Sequence, residues 1–187
     1  KPMIEILDRL SVDLLRFAPD LIASPKRSMY RIYRDTRFSS NKSPLKTQIA
    51  AIMPHRELTK HGGAGLYFHI APDHVLIGAG IYAPEPRELH YLREHISLNS
   101  NQLRTIVESP SFRRNFGELK GQRLKRVPRG FDHDHPAAYY LKFRQLLASS
   151  EHPPHFATRP RFYNSLVRLF EQLSPFVYFL NEPLVRR

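Results

Sequence analysis

The stretch GLYFHIAPDHVLIGAGIY, residues 65–82, decides the fold, because it predicts a β-hairpin. Two runs rich in aromatic and β-branched residues flank a four-residue connection that contains proline and aspartate, which is typical of two antiparallel strands and their turn. Symmetric pairing about the turn at residues 72–73 predicts three cross-strand pairs, which are Tyr67 with Gly78, His69 with Leu76, and Gly65 with Gly80.

Alternation along these strands divides the hairpin into two faces. The core face is predicted to carry Leu66, Phe68, Ile70, Ile77, Ala79 and Ile81. The opposite face is predicted to carry Tyr67, His69, Gly78, Gly80 and Tyr82. Glycine within a strand marks the close approach of a ligand or of another backbone. We therefore expect a shallow, tyrosine-lined pocket on this face. In that case the backbone should tolerate Gly78→Val, but ligand binding should be lost. The alternative is that a helix packs on the glycines.

Outside the hairpin, apolar periodicity and proline positions predict the remaining elements. Helices are expected over residues 2–18, from 86 onwards, 101–108, 110–116, 136–148 and 162–180, the last kinked or split at Pro175, and strands over 28–34 and 46–53. The order favours a single α+β domain over residues 1–187. Its antiparallel sheet has helices packed on one face, and its C-terminal half is helical.

Composition limits the classes of function. The 187-residue chain is 41% apolar and can enclose a core, but it has no apolar run near the ~20 residues of a membrane span. The absence of cysteine excludes disulfides, thiolate catalysis and cysteine zinc sites, and we expect a cytoplasmic protein. A formal net charge of +12 favours anionic ligands. No nucleotide-binding, dinucleotide or common hydrolase motif is present, so no cofactor is predicted.

Four segments together carry a family resemblance. They are RIYRDTRFS at 31–39 with the lysines and proline that follow, GLYFHI at 65–70, GAGIY at 78–82 with its PEP, and LKRVPRGF at 124–131 with the later HPAA. The chain resembles a widespread bacterial and fungal family of domains of unknown function. The resemblance implies that the segments belong to one domain and that a short N-terminal segment precedes residue 1. It implies no activity.

A basic segment supplies the candidate anion ligands, because guanidinium groups match phosphate and carboxylate and lysine adds a mobile positive charge. The candidates are Arg31, Arg34, Arg37, Lys42 and Lys46, with Arg126 in a second basic stretch. Asp35 is the only acidic residue in the stretch that contains the first five of these candidates. The alternative interpretation is a structural arginine–aspartate network that pins the loop.

Three residues are candidates for acid/base catalysis. His69 lies on the pocket face, Glu85 follows the hairpin, and Asp35 is the orienting group or the alternative base. Glu85 also suits a purely structural role at a helix N-terminus. Aspartate and histidine alternate over residues 132–135, and such a pattern could bind a metal. We favour instead that Asp134 caps a helix that begins near Pro136. No metal site is therefore predicted.

These patterns lead to three hypotheses. The first is binding of a phosphorylated or carboxylated small molecule where the basic segment meets the tyrosine-lined face, with acid/base chemistry there. The second is nucleic-acid binding without sequence preference, with phosphate contacts and tyrosine stacking. The third is a non-catalytic structural or interaction module. The sequence identifies no protein partner.

Overall fold

The computed structural model describes residues 2–31, 45 and 47–186. The elements run in the order α1 (Pro2–Phe17), α2 (Pro25–Ser28), β1 (Ile49–Met53), β2 (Gly65–Ile70), β3 (Val75–Ile81), α3 (Pro86–Leu98), α4 (Ser100–Val107), α5 (Pro110–Phe116), α6 (Ala138–Leu141), β4 (Leu146–His152), a 3-10 turn (Pro154–Thr158) and α7 (Phe162–Val185). The fold class is α+β, as the sequence predicts.

The four strands form one antiparallel sheet in the order β1-β2-β3-β4. The hairpin register is the predicted one, with Tyr67 opposite Gly78, His69 opposite Leu76 and Gly65 opposite Gly80. The turn is closed by a hydrogen bond from the Ala71 N–H to the His74 carbonyl. The predicted pairing is therefore confirmed residue by residue.

The apolar face of the sheet packs against α7. Leu66, Phe68 and Ile77 have no solvent exposure, and the Phe68 ring meets the Phe170 ring of α7 edge-on with centroids 6.2 Å apart. Burial of this kind stabilises by about 1.5–3 kcal/mol for each large side chain. The predicted core face of the hairpin is thus the face that α7 covers.

The helix predicted over 136–148 is wrong, because only Ala138–Leu141 is helical and Leu146–His152 forms β4. Leucine and alanine favour a helix when they are considered alone. The exposed hydrogen-bonding edge of β3 overrides that preference, since strand propensity depends mainly on the neighbours that a residue packs against. The predicted strand over 28–34 is also wrong at its start, where Ser28 ends α2 and Met29 makes an isolated bridge to Ala51.

Strand β4 also explains the two glycines of β3. A Cβ atom at Gly78 would lie 2.6 Å from the Ala148 carbonyl oxygen, so the expectation that Gly78→Val fits an open hollow is wrong. Gly80 has φ +131°, and a Cβ there would overlap the Leu146 carbonyl oxygen. The glycines permit the close approach of another backbone, and that backbone is a strand rather than the helix considered as the alternative.

Helix α7 is continuous to Val185, so Pro175 does not split it. Near its C-terminal end, the buried Asn181 amide accepts a hydrogen bond from the Ala64 N–H at 2.8 Å and donates one to the Ala64 carbonyl at 3.0 Å. These two bonds fix the start of β2 against α7. Among the described residues, no helix combines the length and the apolar character required to cross a membrane.

Candidate functional site

A chain of four polar side chains crosses the face of the hairpin that α7 does not cover, which we call the polar face. Tyr67 Oη lies 3.0 Å from His69 Nδ1, and His69 Nε2 lies 2.8 Å from His74 Nε2. His74 Nδ1 in turn lies 2.8 Å from Asp73 Oδ1. We call Tyr67, His69, His74 and Asp73 the relay, because each side chain is within hydrogen-bonding distance of the next.

The hairpin geometry brings the two histidines together. His69 pairs with Leu76, and the turn places His74 two residues before Leu76, on the same face of the sheet. Diagonal neighbours of this kind lie within reach of long side chains. The two rings meet edge-on with centroids 4.8 Å apart. Register and turn length therefore create the contact.

The relay runs from solvent into the protein. The Asp73 side chain is 80% exposed and the His74 side chain is 27% exposed, whereas His69 retains only 7% of its surface. Tyr67 is half-buried beside Tyr30, whose ring meets it edge-on at 6.2 Å. One end of the relay can exchange protons with water, while the other end lies in a more protected environment.

The pKa values follow this gradient. Burial, with a smaller effect of Tyr30, raises the pKa of Tyr67 to about 12, so the phenol is neutral at physiological pH. Burial and then the proximity of His74 lower the pKa of His69. The hydrogen bond from His74 lowers the pKa of Asp73 and keeps it a carboxylate. The two inner members, Tyr67 and His69, therefore resist carrying charge, whereas Asp73 at the outer end carries it.

One assignment of protons satisfies every contact when both histidines are neutral. The Asp73 carboxylate accepts from His74 Nδ1–H, which leaves His74 Nε2 as an acceptor. His69 must then donate through Nε2–H, and its Nδ1 accepts the Tyr67 hydroxyl proton. All donors point from Tyr67 towards Asp73, as in a Ser-His-Asp triad extended by one imidazole.

Lys60 adds positive charge near the inner end of the relay. Its Nζ lies 4.3 Å from the centre of the Tyr30 ring and donates to the Met29 carbonyl at 2.9 Å. Tyr30 is attached to the sheet through its N–H, which donates to the Ala50 carbonyl. The His61 ring lies 5.9 Å from the Tyr30 ring. A cation and a second aromatic ring therefore border Tyr30, which in turn packs against Tyr67.

The predicted site residues divide into four groups. Tyr67, His69 and Gly78 lie together on the polar face. Arg31, Arg126, Tyr82 and Glu85 are exposed, and the last two follow β3 at the end remote from His74. Gly80 lies two residues beyond Gly78, where β4 approaches it. Arg34, Asp35, Arg37, Lys42 and Lys46 lie outside the described residues.

Glu85 lies at the N-cap position of α3. The Glu88 carboxylate accepts a hydrogen bond from the Glu85 N–H at 2.7 Å, one half of a capping box. Glu85 follows the C-terminal end of β3, whereas His74 precedes its first residue, so about 23 Å of extended strand separates the two ends. This position supports the structural role for Glu85.

The segment 132–135 makes local bonds. Asp134 N–H donates to Asp132 Oδ1, and Ala137 N–H donates to His135 Nδ1, both at 3.0 Å. Helix α6 has Ala137 at its N-cap, so the prediction that Asp134 caps a helix at Pro136 is wrong. Within the described part of the chain, no group of three or more histidine, aspartate or glutamate side chains is arranged to hold a metal ion.

Sequence reasoning missed Asp73 and His74, which it treated as parts of the connection. A signal was present, because pairing about residues 72–73 places His74 opposite Ala71 and hence diagonal to His69. Extending the predicted register by one pair would have found the contact between the histidines. The Asp73 contact depends on side-chain rotamers, which the pattern does not contain.

Comparison with known proteins yields one match. A family model described as "Conserved hypothetical protein (DUF2461)" matches residues 1–179. No curated protein and no solved structure matches the chain significantly. The site must therefore be interpreted from its own chemistry.

Proposed function

We propose that this protein, which belongs to the DUF2461 family of conserved hypothetical proteins, binds a small anionic molecule on the polar face of its sheet. It would transfer a proton to or from that molecule through the relay. The observation that carries the proposal is the continuous series of hydrogen-bonding contacts from exposed Asp73 to half-buried Tyr67. Proton transfer by a positioned side chain typically accelerates a reaction by 10²–10⁴-fold.

The relay has two protonation states that differ by one proton. In the neutral state, Tyr67 donates to His69, so its oxygen is free to accept a proton from a bound molecule. Acceptance shifts the Tyr67 proton to His69 Nδ1 and the His69 Nε2 proton to His74. The result is an imidazolium at His74, next to the Asp73 carboxylate, and a Tyr67 hydroxyl that is available to donate.

The same shift run backwards makes Tyr67 a general acid. His74 returns its Nε2 proton to His69, His69 passes its Nδ1 proton to the tyrosine oxygen, and Tyr67 delivers its own proton to the bound molecule. Charge appears only at His74, where the Asp73 carboxylate stabilises it. The low pKa of His69 fits this scheme, because His69 transmits the proton without storing it.

The anionic character of the ligand rests on charge. The chain carries a formal net charge of +12, and the Lys60 ammonium group borders Tyr30 on the polar face. Arg31 follows Tyr30 directly and is exposed. Participation of the basic residues between 34 and 46 stays a prediction. The Arg126 loop stays a candidate second contact of the same kind.

The two other hypotheses stay open and are separable from this one. Nucleic-acid binding predicts that log affinity falls by about 0.7–0.9 log units per log unit of salt for each phosphate neutralised. The Tyr67 ring already makes T-shaped contacts with the rings of Tyr30 and His69. A purely structural module predicts that relay substitutions change stability and nothing else.

Histidine-detected NMR tests the proposal. Long-range proton–nitrogen spectra at pH 7.5 are expected to assign His69 as the Nε2–H tautomer and His74 as the Nδ1–H tautomer. Titration with inorganic phosphate, and separately with acetate, is expected to shift the signals of both histidines and of Tyr67. Asp73→Asn, which keeps the size and removes the charge, is expected to weaken the coupling between His74 and the probe.

His90→Asn is the matched control, because His90 is an exposed histidine on α3 with its own carboxylate partner, Glu94, at 3.4 Å. It is expected to leave the shifts unchanged. All titrations include a chelator, since a response that disappears with EDTA indicates a metal held by the histidines and not a proton relay. Probe-induced shifts confined to residues away from the polar face would contradict the proposal.

A further inference from the structure

A separate cleft of about 480 Å³ lies between α3 and the C-terminal end of α7. Its walls include Tyr91, His95 and Ser97 from α3 and Glu182 and Arg186 from the end of α7. The volume is within the 300–1,000 Å³ range of small-molecule sites. A neighbouring cleft of about 670 Å³ shares Glu182 and Arg186, so these two side chains stand between the clefts.

The tautomer of His95 is fixed by Asn99. The Asn99 Nδ2 group donates to the His95 carbonyl oxygen at 3.0 Å, which determines the orientation of its amide. The same Nδ2 lies 3.2 Å from His95 Nδ1, so Nδ1 is the acceptor. In a neutral imidazole the proton must then be on Nε2. His95 Nε2–H is therefore a hydrogen-bond donor.

This donor is buried and lacks a hydrogen-bond partner among the described residues. The closest acidic group is Glu182, whose Oε2 lies 3.6 Å from His95 Nε2, beyond hydrogen-bonding distance. The His95 side chain is 12% exposed and its ring packs on Phe179 with centroids 4.5 Å apart. A buried polar group that lacks a partner is unfavourable, which favours any ligand that supplies an acceptor.

A donor and an acceptor 3.6 Å apart match a hydroxyl group. One hydroxyl oxygen can accept from His95 Nε2–H and donate its own proton to the Glu182 carboxylate. The Tyr91 ring, which lines the same cleft, offers an apolar surface to the C–H groups of a sugar-like molecule. We propose that this cleft binds a small neutral polyol through a hydroxyl group bridged between His95 and Glu182.

Charge in the cleft disfavours an anion. The carboxylates of Glu94 and Glu182 line it together with one guanidinium, that of Arg186. Arg186 is already engaged by Glu182 at 3.0 Å. Burial lowers the pKa of His95, so the imidazole adds no positive charge. The cleft therefore differs from the polar face of the sheet in the class of ligand that it favours, and neither proposal depends on the other.

The probe is myo-inositol, titrated into isotope-labelled protein. Addition is expected to shift the His95 Nε2–H resonance and the amides of Tyr91 and Ser97, and to leave the relay histidines unchanged. His95→Phe keeps a ring against Phe179 and removes the donor, so inositol affinity is expected to fall at least tenfold. His90→Phe, on the exposed face of the same helix, is the matched control and is expected to bind as the wild type does.

Glu182→Gln provides a second variant, in case His95→Phe disturbs the fold, which a thermal melt reveals. It keeps the shape of the side chain and removes the charged acceptor, and it is also expected to weaken inositol binding. Equal binding by the wild type and the folded variants would overturn the proposal. So would a shift of the His95 resonance by acetate but not by inositol, because the cleft would then select anions.

Discussion

The two faces of the β2–β3 hairpin are built from alternating residues of the same strands, yet they differ completely in chemistry. On one face, Phe68 and Ile77 are sealed under α7. On the other, Tyr67 and His69 begin a chain of titratable groups that reaches solvent. Each polar residue is therefore directly next to a residue that anchors the core.

This arrangement gives the relay a rigid foundation. The position of a strand residue is set by its neighbours in the ladder, and the apolar face holds that ladder in place. One face should therefore determine stability, and the other should determine chemistry. Substitutions at adjacent positions can separate these two roles.

The largest effect is expected on the apolar face. Phe68→Ala removes a fully buried ring that packs on Phe170, so the free energy of unfolding should fall by about 3–5 kcal/mol. Chemical denaturation measures it. Tyr82→Ala is the control, since Tyr82 is 71% exposed and its loss should change stability by no more than about 0.5 kcal/mol. Equal losses in the two variants would contradict the division between the faces.

The next largest effect is expected where β4 meets β3. Gly78→Val places a side chain 2.6 Å from the Ala148 carbonyl oxygen and 2.9 Å from Ser149 Cβ, which should cost about 1–3 kcal/mol through overpacking. Thermal unfolding monitors the change. Gly117→Ala is a useful comparison, because open space surrounds Gly117 among the described atoms and only its φ of +68° opposes a side chain. Wild-type stability of Gly78→Val would restore the interpretation of an open hollow.

These glycines mark the limit of prediction from the sequence. The register of the hairpin followed from the turn and from alternation, because both are local. The role of Gly78 depended on β4, which is about 70 residues away in the chain and whose leucine and alanine residues resemble a helix. Half of the relay could also be predicted, because strand alternation places His69 on the correct face. The contact between Asp73 and His74 could not be predicted, because it depends on side-chain orientations.

A smaller effect on stability is expected on the polar face. Tyr67→Phe removes the hydroxyl that lies 3.0 Å from His69 Nδ1, so unfolding free energy should fall by about 0.5–1.5 kcal/mol. The variant should also lose the phosphate-induced shift at His74, since the relay no longer reaches the bound probe. Calorimetry and histidine NMR measure the two quantities. Retention of the His74 response would show that the signal does not pass through Tyr67.

The smallest effect concerns pH. Burial and His74 lower the pKa of His69 below 6.5, with Asp73 and Glu151 opposing weakly, so the unfolded chain binds this proton more readily than the folded protein does. Stability is therefore complete above the unfolded value and is lost as pH falls through it. Denaturation at pH 7.5 and 5.0 should show this loss, and His69→Phe should reduce it. An unchanged difference in the variant would assign the acid sensitivity to other groups, such as His95 and His152, whose pKa values burial also lowers.

The two hydrogen bonds between Asn181 and Ala64 have a consequence for how the chain folds. The two residues are 117 positions apart, so their hydrogen bonds close a very long loop. Loop closure of this length is entropically costly and slows folding. During synthesis, the hairpin is complete more than 80 residues before α7 exists, and Phe68 and Ile77 then lack their cover. The apolar face of the nascent hairpin should consequently remain without the cover of α7 until translation has passed residue 185.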